Sequence, residues 1–228
     1  MEKVIFSWSG GKDCALALRE ILADQNYCVI ALLTTVTEDY DRISMHGVRR
    51  ELLEKQAESL GLPLEIVYIP KNSSNEVYES RLEKSLVKYK ELGIIGVVFG
   101  DIYLEDLRQY REKNLARLNL KGIFPLWKNE TSELMNNLIT LGFEAVTVCV
   151  DTSMLSASFV GRKIDQEFIA ELPNTVDKCG ENGEYHSFVF DGPIFKLPIP
   201  IRLGERVLRD ERFFYCDLVL DRAEEYSH

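Results

Sequence analysis

Residues 7–14 of the chain, SWSGGKDC, lie between an apolar run at residues 4–6 and a helical pattern of apolar residues at 15–22. A strand, a glycine turn and a helix in this order form an anion site, because the unpaired N–H groups and the positive dipole end of the helix both favour phosphate. Gly10 and Gly11 permit a tight turn and a close approach of the backbone to a ligand. The stretch therefore predicts a phosphate-binding turn at the carboxyl end of a buried strand.

This turn does not have the spacing of a Walker A loop, which has a glycine five residues before Gly11 and a Ser or Thr directly after the lysine. The chain has Phe6 and Asp13 at those positions. An aspartate beside a triphosphate requires a cation between the two, so Asp13 predicts Mg²⁺ that bridges its carboxylate to phosphate oxygens. We expect Ser9 and Lys12 to complete the phosphate site.

The composition describes an ordinary globular chain with enough apolar residues for a large core. The chain has 228 residues, of which 46% are hydrophobic and 28% are charged, so it is long enough for one large domain or two smaller ones. The formal net charge of −10 argues against nucleic acid as the main partner, because such binding depends on clustered Lys and Arg. Five scattered cysteines without a CxxC pair predict free thiols and a cytoplasmic location. The lack of a long apolar run predicts no targeting segment and no membrane anchor.

Strands and helices alternate over the first 125 residues. Apolar runs predict strands at 4–6, 28–34, 64–69 and 94–99. Helical spacing predicts helices at about 15–22, 45–60, 76–92 and 107–118. This alternation predicts an α/β fold with a doubly wound, Rossmann-like parallel sheet that binds ligands at the carboxyl ends of its strands. The glycine turn, Thr34 and the pair Gly100-Asp101 all follow strands, so we expect them to meet at one nucleotide site.

The pattern changes near Pro125, which predicts a boundary between a nucleotide-binding domain, 1–125, and a smaller α+β domain, 126–228. In the second part we expect helices at about 131–141 and 163–170 and strands at 145–150, 188–190 and 212–220. Gly180 and Gly183 predict a tight loop that directs acidic, phenolic and imidazole side chains into a cleft. These side chains belong to Glu181, Glu184, Tyr185 and His186. Taken alone, such a loop is more often a polar hairpin between strands than a functional site.

Several short strings together indicate a family. Residues 9–14 match the pattern SGGxDS except that Cys14, a weak donor, replaces the final serine. The other strings are SMHG at 44–47, GD at 100–101, PLW at 125–127 and above all CGENGEYH at 179–186. With these strings the chain resembles the diphthine–ammonia ligase family of the PP-loop ATP-pyrophosphatase superfamily, which has a Rossmann-like fold of the HUP type. The resemblance covers nearly the whole chain.

The resemblance implies ATP-dependent amidation of diphthine, a modified histidine of elongation factor 2, with ammonia as nitrogen donor and AMP and pyrophosphate as products. A carboxylate accepts ammonia only after its oxygen becomes part of a leaving group, so the carboxylate first attacks the α-phosphorus of ATP. ATP and Mg²⁺ are the implied cofactors. The chain has no length for a glutaminase domain, so we expect free ammonia or a separate donor protein. Elongation factor 2 is the implied protein partner, and a homodimer is left open.

The predicted site falls into three overlapping groups. The nucleotide-binding residues are Ser9, Gly10, Gly11, Lys12, Asp13, Cys14, Thr34, His46 and Gly100, with Asp13 as the metal ligand. The catalytic residues are Lys12, Asp13, Asp101, Glu181 and Glu184. The acceptor-binding residues are Glu181, Asn182, Glu184, Tyr185 and His186.

The roles within these groups follow from residue type. Either Glu181 or Glu184 is expected to hold ammonium or to take a proton from it. The ring of Tyr185 is expected to face the trimethylammonium group of diphthine. For His46, a capping or packing role is as good an interpretation as a nucleotide contact.

Two other functions fit the same residues. The first is pyrophosphatase chemistry on another acceptor, either a small carboxylate or a tRNA base, although the acidic charge and the absence of CxxC speak against tRNA. The second is a non-catalytic sensor of ATP or AMP, which would not need residues 181–186 at the nucleotide cleft. A position of that loop far from Gly10 would favour the sensor.

Overall fold

The computed structural model describes residues 1–43 and 47–222. The strands are β1 (Glu2–Ser7), β2 (Tyr27–Thr37), β3 (Arg42–Ile43), β4 (Leu64–Ile69), β5 (Ile94–Val98), β6 (Lys121–Ile123), β7 (Glu144–Asp151), β8 (Tyr185–Asp191), β9 (Ile201–Arg209) and β10 (Phe213–Leu220). The helices are α1 (Lys12–Ala23), α2 (Arg50–Leu60), α3 (Asn75–Glu91), α4 (Glu105–Ala116), α5 (Thr131–Thr140) and α6 (Gln166–Glu171), with one 3-10 turn at Ala157–Phe159. Across the two described ranges, no helix has the length and the apolar composition that a membrane span requires.

The first sheet has β1 at its centre. β1 pairs in parallel with β2 on one side and with β5 on the other, β4 extends the sheet beyond β2, and β6 extends it beyond β5. The short β3 runs antiparallel to the end of β2, at Val36 and Thr37. The chain therefore builds outward in one direction through β2 and β4 and then in the other through β5 and β6. This reversal between β1 and β5 opens a crevice at their carboxyl ends.

Helices cover both faces of this sheet, as the doubly wound prediction requires. Successive side chains of β1 point to opposite faces, and Phe6 packs in one apolar cluster while Ile5 packs in another. The cluster around Phe6 contains the buried side chains of α1 and α2, such as Leu18 and Leu52. The cluster around Ile5 contains residues of α3 and α4, including Leu86. The predicted α/β architecture is confirmed.

The second sheet is antiparallel, with the strand order β8-β7-β10-β9. Its apolar face joins the same cluster as α1, because Phe188 of β8 and Val146 of β7 pack there with Leu16. The backbone also connects the two parts, since Val189 N–H donates to the Gly10 carbonyl over 2.9 Å. The predicted smaller α+β unit after the parallel sheet is confirmed, and it lies directly against the glycine turn.

Several boundaries differ from the sequence prediction for physical reasons. The strand predicted at 188–190 extends over Tyr185–Asp191 because pairing with β7 begins at the buried Tyr185. The strand β9 was not predicted, since its exposed residues show no apolar alternation. The helix predicted at 163–170 begins only at Gln166, where the Asp165 carboxylate caps the Phe168 N–H at 2.9 Å. The helix predicted at about 45–60 corresponds to α2, which begins at Arg50. Positions 45 and 46 of that prediction lie outside the described residues.

An ion-pair cluster around Asp217 joins the two sheets. Asp217 of β10 accepts a 2.7 Å hydrogen bond from Arg42 of β3 and hydrogen bonds from Arg49, the shortest of which is 2.7 Å. Burial alone would raise the pKa of Asp217, but the hydrogen bonds from the two guanidinium groups outweigh burial and lower it to about 2. A folded-state pKa below the usual value means that the ionised carboxylate stabilises the fold.

We expect Asp217→Asn to lower the free energy of unfolding by about 1–3 kcal/mol, because two guanidinium groups lose their charged partner. The loss is fully present above the ordinary carboxyl pKa, near pH 4, and it shrinks as the pH falls toward 2, where the parent carboxyl also becomes protonated. Urea unfolding of both proteins at pH 7 and at low pH measures this difference.

The control is Asp41→Asn, whose carboxylate pairs with Arg50 but is 57% exposed. We expect a change of at most about 0.5 kcal/mol there. Equal effects of the two substitutions would contradict a special role for Asp217.

Candidate functional site

The glycine turn connects β1 to α1 and leaves the N-terminus of α1 open. Gly11 is the N-cap residue in an extended conformation and has no side chain of its own to cap the helix. Gly10 has φ of +79°, in the left-handed region that favours glycine. The backbone N–H of Lys12 donates to Ser187 Oγ of β8 over 3.2 Å. The turn and the positive end of the α1 dipole suit an anion, and phosphate binding there stays a prediction.

A buried glutamine holds the turn in place. Gln56 of α2 is completely buried, and its Oε1 accepts a 2.9 Å hydrogen bond from the Trp8 indole. Its Nε2 donates to the Gly10 carbonyl at 3.1 Å and to the Val189 carbonyl at 2.6 Å. Sequence reasoning missed Gln56, although a polar residue beside Leu53 and Ala57 on the apolar side of a helix was a visible signal.

Lys12 is buried between the glycine turn and the loop before β8, residues 177–184, which we call the second loop. Its Nζ donates to Asp13 Oδ2 over 2.7 Å and to the Cys179 carbonyl, and it lies 5.1 Å from the centre of the Tyr185 ring. Burial alone would lower the pKa of Lys12, but the charges around it, Asp13 foremost, raise it above the usual value. The lysine is therefore a charged link between two loops and does not extend freely toward a phosphate.

Two polar oxygens near the turn lack partners. Asp13 Oδ1 and Thr34 Oγ1 are buried and have no hydrogen-bond partner among the described residues. No group of three or more His, Cys, Asp or Glu that could hold a metal occurs in those residues. Proteins commonly bind Mg²⁺ through one or two carboxylates together with phosphate oxygens and water. A single free carboxylate oxygen beside a bound phosphate is therefore a suitable partial ligand set. The residues present therefore fit Mg²⁺ that arrives with a nucleotide, at Asp13.

Ser9 and Cys14 lie side by side at the start of α1. Their side-chain oxygen and sulfur are 3.2 Å apart, and Cys14 also donates weakly to the Ser7 carbonyl at 3.5 Å. Burial raises the pKa of the Cys14 thiol to about 11. Cys14 is thus a neutral thiol at pH 7, so it brings no negative charge to the phosphate site.

Gly100 and Asp101 follow β5 and lie against α1. A Cβ on Gly100 would lie 3.0 Å from the backbone of Asp13 and Cys14, so the two chain segments touch through backbone atoms. Asp101 accepts hydrogen bonds of 2.6 and 3.1 Å from Arg111 of α4 in a bidentate pair. Sequence reasoning did not identify Arg111, which lies in a charged helix with no motif of its own.

The second loop is held by carboxylates that point into it. Asp177 Oδ1 accepts from the N–H groups of Cys179 and Glu181, at 3.0 and 3.1 Å. Glu184 is completely buried, and its carboxylate accepts from the backbone N–H groups of Asp177 and Asn182 and from the Asn182 side chain. The geometry does not favour the predicted catalytic and acceptor-binding roles of Glu184, because its oxygens are engaged in folding the loop.

Of the three carboxylates Asp177, Glu181 and Glu184, Glu181 is the one that lines the cavity. Its Oε1 accepts from the N–H groups of Ile102 and Tyr103 at 2.8 and 3.4 Å, which ties the second loop to the segment after Asp101. Burial raises the pKa of Glu181, these hydrogen bonds oppose the rise, Asp13 adds to it, and the result is about 7. A carboxylate with a pKa near 7 can both hold and release a proton at neutral pH.

Tyr185 and His186 lie at the start of β8. The Tyr185 hydroxyl donates to the Lys178 carbonyl at 2.5 Å, and its ring faces Lys12, which does not favour the predicted contact of this ring with the acceptor's trimethylammonium group. Burial, with a smaller contribution from Lys12, lowers the pKa of His186 to about 4. His186 is therefore neutral at pH 7. The predicted site residue His46 lies outside the described residues.

One cavity of about 550 Å³ connects these segments. Of the predicted site residues in the described ranges, all line its wall except Gly10, which supports the turn from behind, and Glu184. The wall also includes α3 and α4, which contribute apolar residues such as Leu82, Leu86 and Leu107 together with the charged Glu79 and Glu83. The glycine turn, the end of β5 and the second loop thus surround one chamber.

Comparison with known proteins gives matches over most of the chain. The model of the diphthamide synthase N-terminal domain matches residues 2–122, and that of the diphthamide synthase C-terminal domain matches residues 130–222. A protein named diphthine–ammonia ligase from Danio rerio is 29% identical over 93% of this chain and 91% of its own length. The Homo sapiens protein of that name is 29% identical over 90% of this chain and 85% of its own.

Among solved structures, the U34-tRNA thiolase NcsA from Methanococcus maripaludis, described with its 4Fe–4S cluster, aligns with a TM-score of 0.38 and 21% identity. The alignment covers 61% of this chain and 56% of that one. This likeness is too distant to inform the chemistry of the cavity.

The glycine turn yields a direct test. A Cβ on Gly10 would lie 2.6 Å from Gln56 Oε1 and 2.8 Å from Leu53, in addition to the cost of a positive φ. We expect Gly10→Ala to lower the free energy of unfolding by about 2–4 kcal/mol and to abolish AMP and pyrophosphate binding. Chemical unfolding and calorimetric titration measure the two effects.

Gly142→Ala is the matched control, since Gly142 also has a positive φ, +81°, but has open space around the added Cβ. It should cost only about 1 kcal/mol and leave binding intact. Binding by Gly10→Ala at parental affinity would show that the turn is not the phosphate site.

Proposed function

The chain belongs to the diphthamide synthase family, and from this premise we propose that it is an ATP-dependent amide ligase that converts the carboxylate of diphthine to the amide with ammonia. The most similar relatives reported above are named diphthine–ammonia ligase. AMP and pyrophosphate are the other products. The observation that supports the proposal most strongly is the single chamber that joins the phosphate-binding turn to Glu181 and Asn182.

The proposed reaction takes two steps. A carboxylate oxygen of the acceptor attacks the α-phosphorus of ATP, and the bond from that phosphorus to pyrophosphate breaks. Ammonia then attacks the acyl carbon, the bond to the AMP oxygen breaks, and one proton leaves the nitrogen. The first step needs stabilisation of the departing pyrophosphate, and the second needs a base close to the incoming nitrogen.

The N-terminal end of α1 serves the first step. Ser9 and the first turn of α1 line the chamber where the pyrophosphate would lie, and the helix dipole favours its charge. Asp13 would hold Mg²⁺ through its partnerless Oδ1, and Mg²⁺ would supply positive charge to the phosphates when it is bound. Lys12 acts through position, because its ammonium keeps the second loop against the turn.

Glu181 serves the second step. It lines the chamber, and its pKa of about 7 suits a group that takes a proton from the attacking nitrogen. Asn182 and the neutral His186 line the same side and supply polar contacts for the acceptor. In this proposal Glu184 shapes the loop through its hydrogen bonds and takes no part in proton transfer.

The partners follow from the proposed reaction. The acceptor is elongation factor 2, which approaches from residues 126–228, and the nucleotide is held mainly by residues 1–125. All five cysteines are free thiols, which supports a reducing, cytoplasmic setting. A homodimer stays a prediction. A sensor would not need the second loop at the phosphate site, so the shared chamber favours the ligase.

Product analysis tests the proposal. The purified chain is incubated with Mg-ATP, ammonium and elongation factor 2 that carries diphthine. We expect AMP, pyrophosphate and an acceptor whose carboxylate has become an amide, detected by chromatography and mass spectrometry. Formation of AMP without amidation would assign the chemistry to another acceptor, and absence of turnover would contradict an enzymatic function.

The pH profile separates the roles of the two glutamates. Because the ionised form of Glu181 is the base, the rate of amide formation, measured at a constant concentration of free ammonia, should rise through about pH 7 in the parent protein. We expect Glu181→Gln to lower kcat by about 10²- to 10⁴-fold and to remove this rise, while ATP binding persists.

Glu184→Gln is the comparison, since it changes the same residue type in the same loop. It should lower stability through the loop hydrogen bonds and leave the rise near pH 7 in place. A profile that changes only in Glu184→Gln would assign the base to Glu184 and contradict the proposal for Glu181.

A further inference from the structure

Asp101 lies beside the phosphate-binding turn but cannot serve a phosphate. It follows β5 directly, and Gly100 brings that corner into backbone contact with Asp13 and Cys14 at the first turn of α1. A carboxylate repels phosphate oxygens at close range unless a cation lies between them. In the proposed function that cation belongs to Asp13, whose Oδ1 has no partner among the described residues, whereas both oxygens of Asp101 are paired with Arg111. The group that Asp101 contacts on a nucleotide must therefore be a neutral hydrogen-bond donor close to the phosphates.

Arg111 fixes the direction of the Asp101 carboxylate. Its Nε donates to Oδ2 at 2.6 Å and its Nη2 to Oδ1 at 3.1 Å, so both oxygens are held in one plane with the guanidinium. The guanidinium also lies 4.3 Å from the centre of the Phe99 ring, which keeps the arginine itself in place. Asp101 is 12% exposed and lines the chamber. The result is an oriented acceptor in the wall, with lone pairs left over on each oxygen.

A nucleotide has two kinds of neutral donor, namely the ribose hydroxyls and the amino group of adenine. The ribose is attached directly to the phosphate, whereas the amino group lies at the far end of the base. Because Asp101 is next to the first turn of α1, its position matches the ribose. The apolar part of the chamber, between α3 and α4, remains free for a flat apolar group.

We propose that Asp101, oriented by Arg111, binds the ribose of the nucleotide by accepting hydrogen bonds from its hydroxyl groups. Arg111 is then a positioning residue, and the pair makes the site specific for ribonucleotides over deoxyribonucleotides. This inference rests on the proposed nucleotide-binding function. It adds a specificity that the amidation reaction by itself does not require.

Calorimetric titration of the full chain tests the inference with four ligands: AMP, 2′-deoxyAMP, 3′-deoxyAMP and Mg-pyrophosphate. The parent protein should bind AMP about 10- to 100-fold more tightly than at least one deoxy analogue, as expected for a hydrogen bond to a charged acceptor. Asp101→Ala should reduce this ratio to about one. The same variant should bind pyrophosphate at least as well as the parent, because it removes a negative charge near the phosphates.

Arg111→Gln gives a different signature. Asp101 loses its partner and its orientation, so the preference for AMP over the deoxy analogues should fall. The unpaired carboxylate should also weaken pyrophosphate binding, opposite to the effect of Asp101→Ala, whereas Arg111→Lys should restore part of the pyrophosphate affinity. A purely structural role of the pair would change all four ligands in parallel.

Glu112→Gln is the matched control, since Glu112 also pairs with an arginine of α4, Arg108, at 2.9 Å, but neither residue lines the chamber. It should leave all four affinities unchanged.

Equal affinity of the parent for AMP and both deoxy analogues would overturn the inference. A preference for AMP over the deoxy analogues that persists in Asp101→Ala would also overturn it. Inosine monophosphate distinguishes the base, because weaker binding of this ligand alone would assign Asp101 to the adenine amino group and overturn the ribose assignment. Failure to bind either AMP or pyrophosphate would overturn the proposed function together with this inference.

Discussion

The ammonium group of Lys12 is buried at the junction of two loops, where it meets the Asp13 carboxylate and the carbonyl of Cys179. A buried charge is tolerated only when it is paired and hydrogen-bonded, so the turn and the second loop must stay close together in the folded chain. The amide of Gln56 adds neutral hydrogen bonds to the same junction, from behind Gly10. The two sheets consequently share one chamber. Each proposed chemical role depends on the contact between the glycine turn and the second loop. In the proposed function Lys12 acts through this junction, while the backbone of α1 provides the contacts for phosphate.

The balance of charge in the chamber constrains what enters it. Among the described residues of its wall, carboxylates outnumber cations: the former are Asp13, Glu79, Glu83, Asp101 and Glu181, and the latter are Lys12, Arg111 and Arg117. Each of the three cations already has a carboxylate partner within 3.2 Å. A triphosphate therefore depends on the N-terminal end of α1 and on a cation that it brings along. The partnerless Asp13 Oδ1 supports a position for that cation. The same balance explains why Asp101 suits a hydroxyl donor better than a phosphate.

The sequence predicted those parts of the molecule in which local chemistry decides the structure. Alternating apolar runs and helical spacing identified the parallel sheet, and the strand ends placed Thr34, Asp101 and the turn in one chamber. The role of Lys12 was predicted from the glycine-turn motif, and long-range contacts with Cys179 and Tyr185 give it a different setting. The role of Glu184 was predicted from residue type, and its hydrogen bonds to Asp177 and Asn182 in its own loop do not favour that role. Gln56 and Arg111 were not predicted as site residues, because the function of a buried amide or of an arginine in a charged helix depends on its hydrogen-bond partner in the folded structure. The strand β9 was missed because pairing with β10 defines it, whereas its own residues are exposed.

The central claim is that the shared chamber brings an acceptor carboxylate to the α-phosphorus of ATP. The most direct measurement follows the carboxylate oxygen. Elongation factor 2 with ¹⁸O in the carboxylate of diphthine is incubated with the chain, Mg-ATP and ammonium, and the AMP is analysed by mass spectrometry. Attack by the carboxylate transfers one labelled oxygen to the phosphate of AMP in each turnover, and pyrophosphate remains unlabelled. Unlabelled AMP formed together with the amide would show that the carboxylate never bonds to the α-phosphorus, and it would contradict the account.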